Sequence, residues 1–183
     1  MVISVRKRAL RTSFITIAIC LIAVSAQAQT LWGPTSYGMS PTEVLRVVQG
    51  AHPVENGSTL GGKHKAKELL RIDDYEVVNE SFKVRFYFSQ NRLVQVTLSL
   101  NEERRFDLAL IVFDELCDAL RTKYGKEISK RVIHHSLISA TDAEAKWING
   151  QTNIDLLVSG IGNTPAVFNL NYQVRLSKEA NKL

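Results

Sequence analysis

The chain has 183 residues, of which 45% are hydrophobic and 22% charged, which is long enough for one core that needs no disulfides. The net charge of +5 is unevenly distributed: residues 1–28 hold four of the 23 Lys and Arg and none of the 18 Asp and Glu. The remaining 19 basic and 18 acidic residues nearly balance. We therefore predict no nucleic-acid partner.

The first 28 residues have the pattern of a secretory signal peptide. Four basic residues precede an apolar run at 14–24, and Ala26 and Ala28 form an A-x-A cleavage site. The apolar run is shorter than the ~20 residues that span a membrane. We predict cleavage between Ala28 and Gln29, a periplasmic or secreted protein and no membrane span afterwards, with a retained N-terminal anchor as the alternative.

Residues 29–183 are predicted to form a single domain that begins with a short helix. Ser40 can cap this helix, Pro41 suits its first position, and Glu43 completes a capping box. An apolar stripe is expected at Val44, Leu45, Val47 and Val48. Gly50 and Pro53 stop the helix, and residues 51–65 form a loop.

Three predicted strands follow the loop. The first includes Leu70, Ile72 and residues 75–78, with an irregularity at Asp73 and Asp74. Residues 82–88 and 94–100 alternate apolar and polar side chains, with a short hairpin loop at 89–92. This pattern predicts an antiparallel sheet that has one apolar face and one solvated face.

A longer helix and further strands complete the predicted domain. The helix is capped by Asn101 and ends at Gly125, and its apolar stripe includes Cys117, which we expect to be a buried, inert thiol. Beyond it, the pattern indicates a strand at 132–138 followed by a polar turn, and strands at 154–158 and 168–174. The fold class is therefore α+β, with two main helices on one face of an antiparallel sheet and a possible quasi-repeated helix-plus-strands unit.

Short motifs resemble uncharacterised families of small exported bacterial proteins. They are GMSPTEV at 38–44, KYG at 123–125, and Trp147 with TNIDL at 152–156. The general plan is similar to that of the β-lactamase inhibitor protein and of the small lipoprotein of the outer-membrane β-barrel assembly machinery. The resemblance implies a protein-binding or envelope-assembly role without catalysis.

No motif indicates catalytic chemistry, a cofactor or a metal. The segment at 57–64, GSTLGGKH, approaches a phosphate-binding loop but ends in His64 where a hydroxyl is needed. The four histidines, His52, His64, His134 and His135, lack metal-ligand spacing, and adjacent residues of a strand point to opposite faces. A nucleophile elbow is also missing.

The solvated sheet face is the remaining candidate for a binding surface. Lys83, Arg85 and Tyr87 alternate with apolar residues, so we predict that all three side chains project to solvent on one face. Such a surface suits an envelope protein or an anionic envelope component. We predict a non-catalytic binding module; the alternatives are an accessory subunit in envelope assembly and a hydrolase whose site is not recognised.

Overall fold

The computed structural model describes residues 29–61 and 65–175, so the predicted signal peptide and the cleavage-site residue Ala28 lie outside the described residues. Helix α1 spans Pro41–Val47 and helix α2 spans Phe106–Tyr124. The strands are β1 His52–Pro53, β2 Thr59–Leu60, β3 Ala66–Val77, β4 Glu80–Ser89, β5 Arg92–Leu100, β6 Ser129–His135, β7 Ala140–Asn149, β8 Thr152–Ile161 and β9 Val167–Val174. None of the helices in the described ranges is long and apolar enough to cross a membrane.

The nine strands form one sheet, and every pair in it is antiparallel. The order is β1-β3-β4-β5-β9-β8-β7-β6, and β2 also pairs with β3. Two meanders make up this sheet, β3-β4-β5 and β6-β7-β8-β9, and they join only where β5 pairs with β9. The predicted α+β class and antiparallel sheet are confirmed.

The core lies on one face of the sheet, where apolar side chains align across strands. One such row contains Val84, Leu98, Leu170, Leu156 and Ala145, each directly opposite the next and all buried. Cross-strand neighbours of this kind share a face. Phe113, Leu116 and Cys117 of α2, Val44 of α1 and Val48 at the C-cap of α1 belong to the same hydrophobic cluster.

Two contacts fix the direction of α2 across β7 and β8. At its start, Phe106 lies so close to Gly160 of β8 that a Cβ on this glycine would be 2.8 Å from the ring. At its end, the indole N–H of Trp147 on β7 donates to the carbonyl oxygen of Gly125, 3.0 Å away. The helix therefore runs antiparallel to β8.

The start of α1 confirms the predicted capping box. The Ser40 hydroxyl accepts from the Glu43 backbone N–H, and the Glu43 carboxylate accepts from the Ser40 backbone N–H at 2.8 Å. The predicted stripe is only half right, because Val44 and Val48 are buried whereas Leu45 and Val47 are exposed. Within this seven-residue helix only Val44 is buried, and Val48, at the C-cap, adds a second side chain to the core.

The hairpin between β4 and β5 agrees with the short loop predicted at 89–92. Gln90 and Asn91 both have positive φ, 49° and 62°, which matches the twist of a two-residue hairpin turn. In β3 the predicted irregularity is confirmed, since the register shifts between Ile72 and Tyr75, around the two aspartates. The predicted loop at 51–65 was incomplete, because it contains the short strands β1 and β2.

Two predicted boundaries were wrong. Helix α2 begins at Phe106, so Arg105 and not Asn101 occupies its N-cap position, and the Arg105 side chain makes no capping hydrogen bond. The Asn101 amide instead donates to the carbonyl oxygen of Asp73 at 2.7 Å. The strand predicted at 132–138 is β6, which ends at His135. The polar turn predicted after it is instead strand β7, in which Ala143 and Ala145 face the core.

Candidate functional site: the polar face of the sheet

The face of the sheet opposite the core is lined by polar side chains across five strands. In the central row Arg85 is opposite Thr97, which is opposite Asn171, which is opposite Asp155, which is opposite Lys146. We call this surface the polar face, and its central members are Lys83, Arg85, Gln95, Thr97, Ser99, Asp155, Asn169 and Asn171. The alternation that buries the apolar set places all of them on the other side.

Hydrogen bonds tie the polar face together where β5 meets β9. The Thr97 hydroxyl donates to the Asn171 side-chain oxygen at 2.8 Å, and the Ser99 hydroxyl donates to the Asn169 side-chain oxygen at 2.7 Å. Arg85 in turn donates to the Ser99 oxygen at 2.6 Å. We call these five side chains the polar ladder. Their orientations are fixed before any partner arrives, and preorganised groups of this kind bind at a lower entropic cost.

A buried carboxylate, Glu68, anchors the β3–β4 side of this face. It is 0% exposed, and it accepts hydrogen bonds from the Ser58 N–H at 3.0 Å, the Ser58 hydroxyl at 2.7 Å and Arg71 Nε at 2.7 Å. Arg85 Nε lies 3.9 Å from the same carboxylate. Burial alone would raise the pKa of Glu68, but the hydrogen bonds from Arg71 and Ser58 outweigh it and hold the pKa below its usual range.

Tyr87 corrects the prediction that three side chains of β4 project to solvent. It is only 4% exposed, because the segment before β2 crosses it and the Tyr87 and Ser58 hydroxyls lie 2.9 Å apart. A register shift between Tyr87 and Phe88 also interrupts the alternation, so that both are buried. Lys83 and Arg85 do share one face and are partly exposed. Tyr87 is therefore buried beneath Ser58 and is not part of the exposed binding surface.

Asp155 marks the other side of the polar face. Burial raises the pKa of this carboxyl, and the nearby charge of Lys146 lowers it by less. Lys146 is also 3.3 Å from Glu144, its neighbour on β7. The polar face therefore carries cations on β4, uncharged amides and hydroxyls on β5 and β9, and carboxylates together with a lysine on β7 and β8.

The histidines in the described ranges bind neighbours on adjacent strands. His52 lies 2.8 Å from Asp73, His134 lies 3.1 Å from Thr141, and His135 lies 2.9 Å from Asp142. The Ser159 hydroxyl also donates to Asp142, but the carboxylate stands between the hydroxyl and the imidazole, so they do not form a nucleophile and its base. Within residues 29–61 and 65–175, no group of three potential ligands could hold a metal ion.

The segment that approaches a phosphate-binding loop is packed at its first glycine. A Cβ at Gly57 would overlap the carbonyl oxygen of Glu68, so this glycine is explained by its close approach to β3. His64 lies outside the described residues. Cys117 is buried as predicted, and burial raises the pKa of its thiol to about 11.

Two groups of this face were missed in the sequence. Asn169 and Asn171 alternate with Phe168, Leu170 and Tyr172, so the alternation used for β4 would also have placed both asparagines outward. Glu68 carried no comparable signal, because its partner Ser58 is ten residues away across a segment without a repeating pattern.

Comparisons with known proteins identify no relative of this chain. No protein-family model matches the chain, and neither a curated protein nor a solved structure is significantly similar to it. The resemblance to exported bacterial families stays a prediction.

Proposed function

We propose that this chain is an exported, non-catalytic binding module that holds its partner on the polar face, with Lys83 and Arg85 binding an anionic group of that partner. The observation that carries the proposal is the polar ladder. Its hydrogen bonds fix Arg85, Ser99 and Asn169 in one arrangement across three strands. An envelope protein with acidic side chains or an anionic envelope component has the matching chemistry.

The amides of the polar ladder define what such a partner must offer. The side-chain oxygens of Asn169 and Asn171 already accept bonds from β5. Their NH₂ groups are therefore the ends left to bind a ligand, and an amide NH₂ can only donate. Together with the cations at Lys83 and Arg85, the surface favours a partner rich in carboxylate, phosphate or carbonyl oxygens.

Export of the module rests on the N-terminal sequence. The four basic residues, the apolar run and the A-x-A site support removal of residues 1–28. N-terminal sequencing of the protein recovered from the periplasm or medium should begin at Gln29. Recovery of an intact Met1 would support the retained anchor instead.

The proposed module also uses one structural plan twice, a helix followed by a meander, with both helices on the apolar face. Support comes from the shared core cluster, which contains Val44 of α1 and Phe113 of α2, and from the two meanders that meet at β5 and β9. This arrangement leaves the polar face uncovered by either helix and open to a partner.

The binding proposal is tested with poly-L-glutamate, an anionic polypeptide of defined chemistry, at 50 and 300 mM salt. Lys83→Glu should weaken binding at least threefold at low salt, and the difference should shrink at high salt. Lys126→Glu is the matched control, because it makes the same charge change at an exposed site after α2. Equal weakening by both variants would mean that only net charge matters and would reject the polar face as the binding surface.

Arg85 needs a gentler substitution than Lys83. Its guanidinium lies 3.9 Å from the buried Glu68, so Arg85→Glu would place a second carboxylate beside the first and destabilise the fold. Arg85→Gln removes the charge and keeps a donor for Ser99. We expect it to weaken poly-L-glutamate binding, by less than Lys83→Glu because it changes the charge by one and not by two, while the thermal midpoint stays within a few degrees of the wild type.

A further inference from the structure

Two adjacent hairpin turns at one end of the sheet expose large apolar side chains. The β6–β7 turn is Ser-Leu-Ile-Ser at 136–139, and the β8–β9 turn lies at 162–166 between Ile161 and Val167. Leu137 is 98% exposed, Ile138 62%, Ile161 56% and Val167 57%. We call residues 136–139 and 161–167 the hairpin tips. Turns normally carry Gly, Asn, Asp, Ser or Pro, so Leu-Ile at the centre of one is unusual.

The hairpin tips form one surface. The Gly162 N–H donates to the carbonyl oxygen of Ser139 at 3.0 Å and ties the second turn to the first. Ile161 is directly opposite Ala140, the first residue after the β6–β7 turn. The Ala166 N–H also donates to the Arg104 carbonyl oxygen at 2.7 Å, which fixes the second turn against the segment before α2. The four apolar side chains therefore project from a braced end of the sheet.

The uncharged, apolar composition of the hairpin tips favours a lipid bilayer as their binding partner. Neither 136–139 nor 161–167 contains a charged residue, so insertion of the hairpin tips into a bilayer would desolvate no charged side chain of their own. The serines, Asn163 and Thr164 supply small polar groups suited to the headgroup region. We propose that the hairpin tips insert into the interfacial region of a lipid bilayer, which is a second binding surface, separate from the polar face.

The size of the patch argues against a second copy of the chain as its occupant. Four such side chains expose on the order of 400 Å² of apolar surface, within the range of a single functional patch. A stable protein–protein contact buries about 800 Å² on each partner. The hairpin tips alone are thus too small for a stable dimer, whereas an anchor in a bilayer needs no complementary surface and gains from each inserted side chain.

The direct test is co-sedimentation of the purified exported protein, which begins at Gln29 after the proposed cleavage and so lacks the apolar run at 14–24, with vesicles of pure phosphatidylcholine and with vesicles containing phosphatidylglycerol. Wild type should bind both, since the hairpin tips carry no charge. Leu137→Ser/Ile138→Ser should lower the partition coefficient at least tenfold, and tenfold corresponds to about 1.4 kcal/mol. Ile111→Ser/Ile128→Ser is the matched control, because both residues are isoleucines more than half exposed outside the hairpin tips, and it should bind as wild type does.

A fluorescent variant locates the contact. Trp32 and Trp147 are both buried, so an added Leu137→Trp would be the exposed indole. Its emission should shift to the blue with phosphatidylcholine vesicles and be quenched by brominated lipid.

Wild type that fails to sediment with either vesicle, or equal binding by the tip variant and the control, would overturn the proposal. Binding to phosphatidylglycerol alone would assign the interaction to charge, and a dimer lost in the tip variant would assign the hairpin tips to a second copy; both results also overturn it.

Discussion

Replacing Glu68 by alanine tests whether the buried carboxylate holds the β3–β4 side of the sheet. The change removes the acceptor of three hydrogen bonds, two from Ser58 and one from Arg71. A buried donor left without its partner costs about 1–3 kcal/mol, and breaking a buried ion pair costs about 3–5 kcal/mol. Arg71 is 24% exposed and can turn to water, so we expect the lower part of the range. Glu68→Ala should lower the free energy of unfolding by about 3 kcal/mol.

The assay is urea denaturation at pH 7 with an exposed carboxylate as the control. Asp107 pairs with Arg105 at 3.2 Å, and both side chains are mostly exposed, so Asp107→Ala should change the free energy of unfolding by less than ~1 kcal/mol. If Glu68→Ala costs no more than Asp107→Ala, the reasoning about the buried network is wrong.

The pH dependence gives an independent check on the same carboxylate. Because the folded pKa of Glu68 is lowered, its ionised form stabilises the protein above the unfolded pKa of about 4.3, and this contribution is lost as the pH falls through the folded pKa. Glu68→Gln has no such titration. The stability difference between wild type and Glu68→Gln should therefore shrink between pH 6 and pH 3, and a constant difference would contradict the lowered pKa.

Three further substitutions or reactions test other contacts. Gly160→Ala would force a Cβ within 2.8 Å of Phe106 and should cost ~1–3 kcal/mol in urea denaturation, and a cost no larger than that of the exposed control Asp107→Ala would contradict this close packing. Ser40→Ala should cost about 1 kcal/mol through the lost cap, and unchanged stability would reject the capping box. With a pKa of about 11 and no exposure, Cys117 should react with a thiol reagent at pH 8 only after unfolding; fast reaction of the folded protein would show that the thiol is accessible.

Local rules succeeded where a structural feature depends on residues a few positions apart. The capping box needs only Ser40 and Glu43, and the hairpin turn needs only residues 90 and 91. Strand β4 was predictable because one face is buried and the other is not, which leaves a visible period of two. The same period in β9 placed a last strand at 168–174, where Val167–Val174 is found.

The sequence-based predictions failed where contacts with residues distant in the sequence determine the local structure. Strand β7 buries Ala140, Ala143 and Ala145, and only Trp147 among its buried residues is large, so its first half lacks the large apolar side chains typical of a strand. Tyr87 alternates like its neighbours, but Ser58 covers it from another part of the chain. Asn101 is a good helix cap by type, but helix α2 begins only at Phe106, and the Asn101 NH₂ donates to the carbonyl oxygen of Asp73 on β3. Each competing contact joins positions more than 20 residues apart, which no local pattern reports.

The single junction between the two meanders has a kinetic consequence. Each meander joins strands that follow one another in sequence, so its hairpins can form early and independently. The junction instead pairs Gln95 with Gln173 and Thr97 with Asn171, and the Thr97–Asn171 hydrogen bond spans 74 residues. Closing so long a loop costs entropy before any contact rewards it. We expect the two meanders to gain amide protection first and the β5–β9 amides last, so the proposed binding surface would be the final part of the sheet to assemble during refolding.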